Sequence, residues 1–338
     1  MKKYGFALIG CGAIAGIHSQ AIKEMSQAEL IGVYDTFSEG AERFAKEKNC
    51  KAFASMEALL SDSGVDIVCI CTPSGLHAEL AMRVAKAKKH IVVEKPMAIT
   101  KESLAELIEV IKDNQVKCAV IAQLRFTNAV QKIQKAIADG KLGTIRTVDF
   151  TMRYLRTQEY YDKGAWRGTW AMDGGGALMN QGIHGIDLVQ YLVGGVTSVY
   201  AQCKTLARNI EVEDTANLLV EYKCGAIGVI RCTTLAKPGY PRRIEITGDN
   251  GTIVLKEDVI ERWDIDGETC ECDGTTCSNS GCNSMAIPYE YHKLQFTDLI
   301  DAIENNRKPL VDELEGRKPV DVILAAYESE KTGKKVLL

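Results

Sequence analysis

Tyr4-Gly5-Phe6-Ala7-Leu8-Ile9-Gly10-Cys11-Gly12-Ala13-Ile14-Ala15 reads as a short apolar β-strand, a turn of two glycines, and the first residues of a helix. The spacing is G-x-G-x-x-A. The first two glycines let the turn close and let backbone approach a pyrophosphate, and the small third residue lets helix and strand pack. The helix then offers free amides and the positive end of its dipole to phosphate oxygens. Asp35 stands 23 residues beyond Gly12, close to the spacing at which a carboxylate meets the ribose hydroxyls of a bound dinucleotide. It is followed by Thr36-Phe37-Ser38-Glu39, with no nearby arginine or lysine to receive a 2′-phosphate. The cofactor expected is therefore NAD, with NADP disfavoured.

Outward from this unit, β-branched runs at 7–9, 30–34, 66–70, 91–93 and 118–121 alternate with helical spacing near 13–25, 38–48, 76–87 and 101–112. The last of these helices begins behind Thr100 as its N-cap. Such alternation predicts a parallel sheet of the doubly wound α/β kind. From residue 128 the pattern changes. A helix ending at Asp139-Gly140 is followed by β-rich stretches at 144–154, 197–206, 215–222, 227–234 and 243–247, interrupted by a glycine-rich helix near 179–192. Helices near 291–305 and 319–332 close the chain. The expectation is a Rossmann nucleotide-binding domain over 1–122 and an α+β substrate-binding and oligomerisation domain over 123–338. The second domain is built on a large, mainly antiparallel sheet, and its C-terminal helices are able to pack back on the first.

At 338 residues, with 46% hydrophobic and 25% charged content, the chain is too long for one core. A formal charge of −4 leaves no basic stripe for nucleic acid and no polybasic anchor for a membrane, so a small molecule is the expected partner. The lysines at the start precede an apolar run that breaks after six residues, which reads as a strand and not as a signal peptide. Twelve cysteines, among them Cys69, Cys71, Cys118, Cys203 and Cys232 in apparent core segments, suggest reduced thiols in a cytoplasmic protein. Cys270, Cys272, Cys277 and Cys282 cluster in a Gly/Ser/Asn/Thr-rich stretch, but their C-x-C-x4-C-x4-C spacing matches neither zinc ribbons nor the usual ferredoxin runs. A surface hairpin with free thiols is expected there, and no metal.

Two further segments carry chemistry. Lys95, before Pro96 at the carboxyl end of a parallel strand, is held extended and faces the crevice where such sheets bind ligands. Asn180, His184 and Asp187 are four and three residues apart, so on a regular helix they share a face. A histidine is the natural proton acceptor near neutral pH, although a lone histidine on an apolar helix is also commonly a satisfied core residue.

Glu94-Lys95-Pro96, Thr72-Pro73 and the run Gly174-Gly175-Gly176 through Asn180, His184 and Asp187 together resemble the Gfo/Idh/MocA oxidoreductases over nearly the whole chain. Trp166-Arg167-Gly168-Thr169-Trp170, Gln123-Leu124-Arg125-Phe126 and Ile210-Glu211-Val212-Glu213-Asp214-Thr215 are similar to the branch that oxidises UDP-linked N-acetylglucosamine uronates and related sugars. The resemblance implies an NAD(P)-dependent sugar or polyol dehydrogenase that takes hydride from a secondary hydroxyl of a sugar, nucleotide sugar or cyclitol. Lys95 then lies near the nicotinamide and the substrate hydroxyl, and His184, aided by Lys95, takes the hydroxyl proton. Cofactor contacts are expected from Gly10, Gly12, Ala13, Ile14, Asp35, Thr36, Thr72, Pro73, Glu94, Lys95 and Gln123, and substrate contacts from Arg125, Trp166, Arg167 and Asn180. Many family members carry Asp where this chain has Asn180; an amide cannot take a proton, so a relay through that position is closed. Asp187 either orients His184 or stands as a helix-surface acid. Arg153 and Arg156 are further candidates for gripping an anion, His18 and His77 read as structural, and His292 is open. The family is commonly oligomeric, which implies a homodimer or homotetramer. Two other readings share these residues: a sugar sensor that binds NAD without catalysis, and a glycoside-processing enzyme whose bound NAD is reduced and reoxidised within one cycle.

Overall fold

The computed structural model describes residues 3–268 and 288–338. The cysteine cluster from Cys270 to Cys282 lies outside the described residues. The chain divides into two compact units, Met1–Gln123 with Pro288–Arg317, and Leu124–Ile287 with Lys318–Leu338.

In the first unit the strands are β1 (Tyr4–Ile9), β2 (Ala28–Tyr34), β3 (Lys51–Ala52), β4 (Ile67–Ile70), β5 (His90–Val93) and β6 (Cys118–Val120). Between them run α1 (Ala13–Lys23), α2 (Ser38–Lys48), α3 (Met56–Ser61), α4 (His77–Lys86) and α5 (Lys101–Asn114). All strand pairs are parallel, in the order β3-β2-β1-β4-β5-β6. The order reverses at the β1/β4 boundary, which in such sheets is the switch point where ligands bind. β1 and β4 are buried along their whole length, as strands covered on both faces must be. Thr100 caps α5 as expected, its Oγ1 accepting the Ser103 amide at 3.1 Å.

The helix Tyr289–Glu304 belongs to this unit although it comes late in the chain. Its Phe296, Leu299 and Ile300 join Phe6, Leu8 and Ile22 in one core. Its Gln295 accepts the Ala122 amide at 3.1 Å and donates to the Val120 carbonyl at 2.7 Å, which fixes the chain just before Gln123.

The second unit holds α6 (Asn128–Ala138), β7 (Ile145–Leu155), α7 (Gln158–Asp162), α8 (Ile183–Val193), β8 (Val196–Lys204), β9 (Thr215–Tyr222), β10 (Ile227–Thr233), β11 (Leu235–Gly248), β12 (Gly251–Lys256), β13 (Val259–Ile265) and β14 (Val336–Leu337). Its eight-stranded sheet runs β13-β12-β11-β7-β10-β9-β8-β14. Every pair is antiparallel except β7 with β10. Alternation along β9 buries Ala216, Leu218, Val220 and Tyr222 and leaves Asn217, Leu219 and Glu221 outside. The helix Glu313–Thr332 starts six residues before Pro319, where the sequence pattern placed its beginning, because Asp312 Oδ1 accepts the amides of Leu314 (3.0 Å) and Glu315 (2.9 Å).

The glycine-rich segment departs from a regular helix. Ala177–Gly182 winds as a π-helical turn and passes into α8 at Ile183. Asn180 therefore sits in a wider turn than His184, and four-residue spacing on a regular helix does not describe their relation. Gly185 has no Cβ because one there would lie 2.0 Å from the Phe150 ring of β7, so α8 lays its backbone directly on that ring.

Candidate functional site

In the first unit, Gly10 has φ +96°, and a Cβ on it would lie 2.7 Å from the Cys71 carbonyl oxygen. Gly12 precedes α1 without a side-chain cap, and a Cβ there would meet nothing within 4 Å. The turn thus leaves open space against a helix N-terminus, the cradle that a pyrophosphate fills. Asp35, at the end of β2, braces it: Oδ2 accepts the Cys11 amide at 2.8 Å and Oδ1 the Phe37 amide at 2.9 Å. Each carboxylate oxygen keeps a lone pair for a ribose hydroxyl. Beyond the carboxyl ends of β4 and β6, the buried Thr72 Oγ1 and Gln123 Oε1 find no hydrogen-bond partner among the described residues. Such orphans call for a polar ligand, and these residues fit a dinucleotide. Thr36 is exposed beside Asp35, and Pro73 is half-buried.

Glu94, Lys95 and Pro96 follow β5, with a cis bond between Lys95 and Pro96. Lys95 is half-buried, whereas Glu94 is buried. Glu94 Oε1 lies 2.8 Å from His18 Nε2 and 4.0 Å from His292 Nε2, and Oε2 accepts the Lys95 amide at 3.2 Å. Burial opposes ionisation of Glu94, but the His18 hydrogen bond and the positive charges of His18, His292 and Lys95 outweigh it and bring the carboxyl down to about 2. Burial drives His292 the other way from an ordinary histidine, down to about 4. The donor atoms of His18, Glu94 and His292 lie within 4.8 Å of one another, a set able to hold a metal ion that the sequence did not signal. His77 is a buckle between two loops, its Nδ1 2.7 Å from the Pro96 carbonyl oxygen and its Nε2 2.8 Å from that of Thr72. Burial lowers its pKa.

In the second unit, a hydrogen-bonded chain ends on Asn180. Asp173 Oδ2 accepts the Gly168 amide at 2.9 Å, and Oδ1 accepts Asn180 Nδ2 at 2.5 Å. Gln181 Nε2 donates to Asn180 Oδ1 (2.6 Å) and to the Tyr160 hydroxyl (3.2 Å), and Gln181 Oε1 accepts Arg156 Nη2 at 2.9 Å. Arg156 and Arg167 both lie over the Tyr160 ring, at 5.6 and 4.9 Å from its centroid. Arg167 also stacks on Trp166 at 4.7 Å. Its Nε is buried with no hydrogen-bond partner among the described residues. His184 is half-buried one turn further on, while Arg153 is exposed and stacks on Tyr240.

Arg125 does not join this group. It is buried, and its Nε and Nη2 donate to Asp187 at 2.9 and 2.6 Å. Where the sequence predicts a contact to a substrate's carboxylate or phosphate, the structure places Arg125 in a buried pair inside the second unit. That pair also decides Asp187, a buried partner of Arg125 and not a surface acid. Sequence reasoning missed Asp173, Tyr160, Gln181 and Glu213; the acid immediately before the three glycines was the one available signal.

A family model described as "Oxidoreductase family, NAD-binding Rossmann fold" matches residues 4–122, and one for the "GFO/IDH/MocA C-terminal domain" matches residues 130–254. The chain belongs to the Gfo/Idh/MocA oxidoreductase family. Its first unit is an NAD-binding Rossmann domain. The chain is 34% identical to the WlbA dehydrogenase of Bordetella pertussis, solved with NADH and UDP-GlcNAcA, across 100% of this chain and 99% of that one, with a TM-score of 0.89. For the WlbA dehydrogenase of Chromobacterium violaceum, solved with the same two molecules, identity is 33%, coverage 100% and 96%, and the TM-score 0.90. Myo-inositol 2-dehydrogenase of Thermotoga maritima is 31% identical over 73% of each chain. No helix among the described residues is long and apolar enough to cross a membrane.

Proposed function

We propose that the protein is an NAD-dependent dehydrogenase that oxidises a secondary hydroxyl on a nucleotide-linked uronate. The observation that carries the proposal is the open, uncapped glycine turn of the Rossmann unit together with end-to-end likeness to a dehydrogenase holding NADH and UDP-GlcNAcA. When bound, the nicotinamide supplies the hydride acceptor. Thr72 and Gln123, with buried polar atoms lacking partners among the described residues, take polar groups of the dinucleotide; Asp35 takes ribose hydroxyls and, by its charge, favours NAD over NADP. His184 accepts the proton of the substrate hydroxyl, and Lys95 orients that hydroxyl and assists the transfer. Asn180, oriented by Asp173 and Gln181, hydrogen-bonds the sugar. The uronate is favoured over a neutral sugar by Arg167, whose buried Nε lacks a partner among the described residues and whose plane is fixed against Tyr160 and Trp166.

The exposed face of the sheet in the second unit supports self-association. Tyr200 and Leu219 face each other across β8 and β9, 42% and 60% exposed, and Ile227, also 60% exposed, extends the same face. A second copy of the chain covers it, as a dimer or tetramer. All eight described cysteines are free, which fits the cytoplasm.

The test is NADH formation from NAD across UDP-linked uronates, UDP-sugars, simple glycosides and inositols. Turnover confined to uronates supports the full proposal. Turnover on neutral sugars alone removes the uronate, and bound NAD with silence across the panel removes net oxidation.

A further inference from the structure

Glu213 is buried and takes no part in the chemistry above, yet three successive amides of the glycine run end on it. Its Oε2 accepts the Gly176 amide at 3.0 Å, its backbone carbonyl the Ala177 amide at 2.9 Å, and its Oε1 the Leu178 amide at 2.7 Å. These are the leading amides of the π-helical turn, which has no cap of its own. Gly176 in turn accepts the Asn180 amide at 3.0 Å, so the register of Asn180 is set through the latch. Tyr327, from the helix Glu313–Thr332, donates to Glu213 Oε1 at 3.1 Å.

The glycines are there for this contact. A Cβ on Gly176 would lie 2.0 Å from the Glu213 carbonyl oxygen, and one on Gly175 2.0 Å from the Tyr327 hydroxyl. Glu213 itself is pinned by its neighbour: the Asp214 carboxylate accepts the amides of Leu206, Ala207 and Arg208 at 2.9, 2.9 and 3.0 Å.

We infer that Glu213, steadied by Tyr327, is a positioning residue that caps the π-helical turn from the distant segment before β9 and thereby sets Asn180 and His184 for turnover. The inference rests on the proposed dehydrogenase reading for its effect on turnover, and on geometry alone for its effect on the loop. Burial raises the Glu213 carboxyl to about 7, against the pull of the Leu178 and Gly176 amides and the Tyr327 hydroxyl. The titratable groups facing it are Tyr327, Cys203 of β8 and Cys232 of β10, all held protonated by burial. Protonation of the carboxyl removes an acceptor from the latch, so the latch is complete on the alkaline side of that range.

The experiment compares the full-length protein with Glu213→Gln and Tyr327→Phe by amide hydrogen exchange over residues 174–184, NAD affinity, and the pH profile of kcat. For Glu213→Gln, exchange in that segment rises and kcat falls by about 10- to 100-fold, the scale of losing a hydrogen bond to a charged group, while NAD affinity holds within about 2-fold. Tyr327→Phe keeps the carboxylate but removes a donor, so it changes both less and moves the acid limb of kcat to higher pH. Wild-type exchange in both variants overturns the inference, as does a fall in kcat with exchange unchanged. If Glu213→Gln fails to fold, Tyr327→Phe alone decides by its exchange and its acid limb. If the wild-type protein turns over no sugar, the dehydrogenase reading fails, and exchange alone decides whether Glu213 holds the turn.

Discussion

Arg125 Nη2 and Nε reach the two carboxylate oxygens of Asp187 at 2.6 and 2.9 Å, and both side chains are buried. The guanidinium also lies over the Tyr191 ring at 4.7 Å. The pair ties the segment before α6 to the middle of α8. Removing one partner leaves a buried charge alone, which costs about 3–5 kcal/mol. Arg125→Ala and Asp187→Asn should each lower the unfolding free energy in urea by about that amount, whereas Arg125→Met with Asp187→Leu should lose less than either single variant. A loss in the double variant equal to the sum of the two single losses would show that the pair is not coupled.

Much of the first unit was legible because buried parallel strands are continuous apolar runs: β1, β2, β4, β5 and β6 fall within three residues of their expected bounds at each end, α2 falls on its expected bounds, and so does β9 of the second unit. β3 was not legible, since two exposed residues, Lys51 and Ala52, form no pattern. β12 and β13 were passed over with the polar stretch that follows them. The π-helical turn is invisible to any search for a 3.6-residue period. The Arg125–Asp187 pair and the Glu213 latch join residues 62 and 35 or more positions apart, and half of the latch is backbone amides, which carry no side-chain signature. The fingerprint, Asp35 and the Glu-Lys-Pro turn were legible because each is a local requirement of chain geometry.

His184→Ala and Lys95→Ala should each keep NAD binding and lose turnover by about 10²-fold or more, the scale of acid-base catalysis. Rate and dinucleotide affinity measured on the same preparations separate the two effects. Near-normal turnover in either variant removes that residue from the proton transfer.

The first unit should lose stability in acid through two groups of the same sign. Glu94 is held at about 2, so its contribution is present above 4.5 and is lost as pH falls toward 2. His292 is held neutral at about 4, so its contribution is present above 6.5 and is lost as pH falls through 4. His292→Leu should therefore flatten the fall of Tm between pH 6.5 and 4, removing on the order of 2–3 kcal/mol of pH dependence. A slope like that of the wild type over that window would place the titration elsewhere.

Leu219→Glu with Ile227→Glu should yield a smaller particle by light scattering than the wild type. Both positions lie on the exposed face of the second sheet, so the fold has no reason to change. A wild-type monomer, or a variant whose mass is unaltered, would mean that another surface, or none, brings copies together.

On the proposed reading Asp35 joins cofactor choice to the shape of the turn, because the carboxylate assigned to the ribose hydroxyls also holds the Cys11 and Phe37 amides. Asp35→Ala removes both acceptors, and each hydrogen bond to a charged group is worth about 1.5–3 kcal/mol, so NAD affinity should fall by at least about 10-fold. The same change removes the negative charge that repels a 2′-phosphate. Affinity for NADP should then fall less than that for NAD, and the ratio of the two dissociation constants should narrow by about 10-fold or more. Titrating both dinucleotides into both proteins gives the four constants. If the two ratios agree, Asp35 shapes the turn without choosing the cofactor, and selection of NAD must come from elsewhere in the loop.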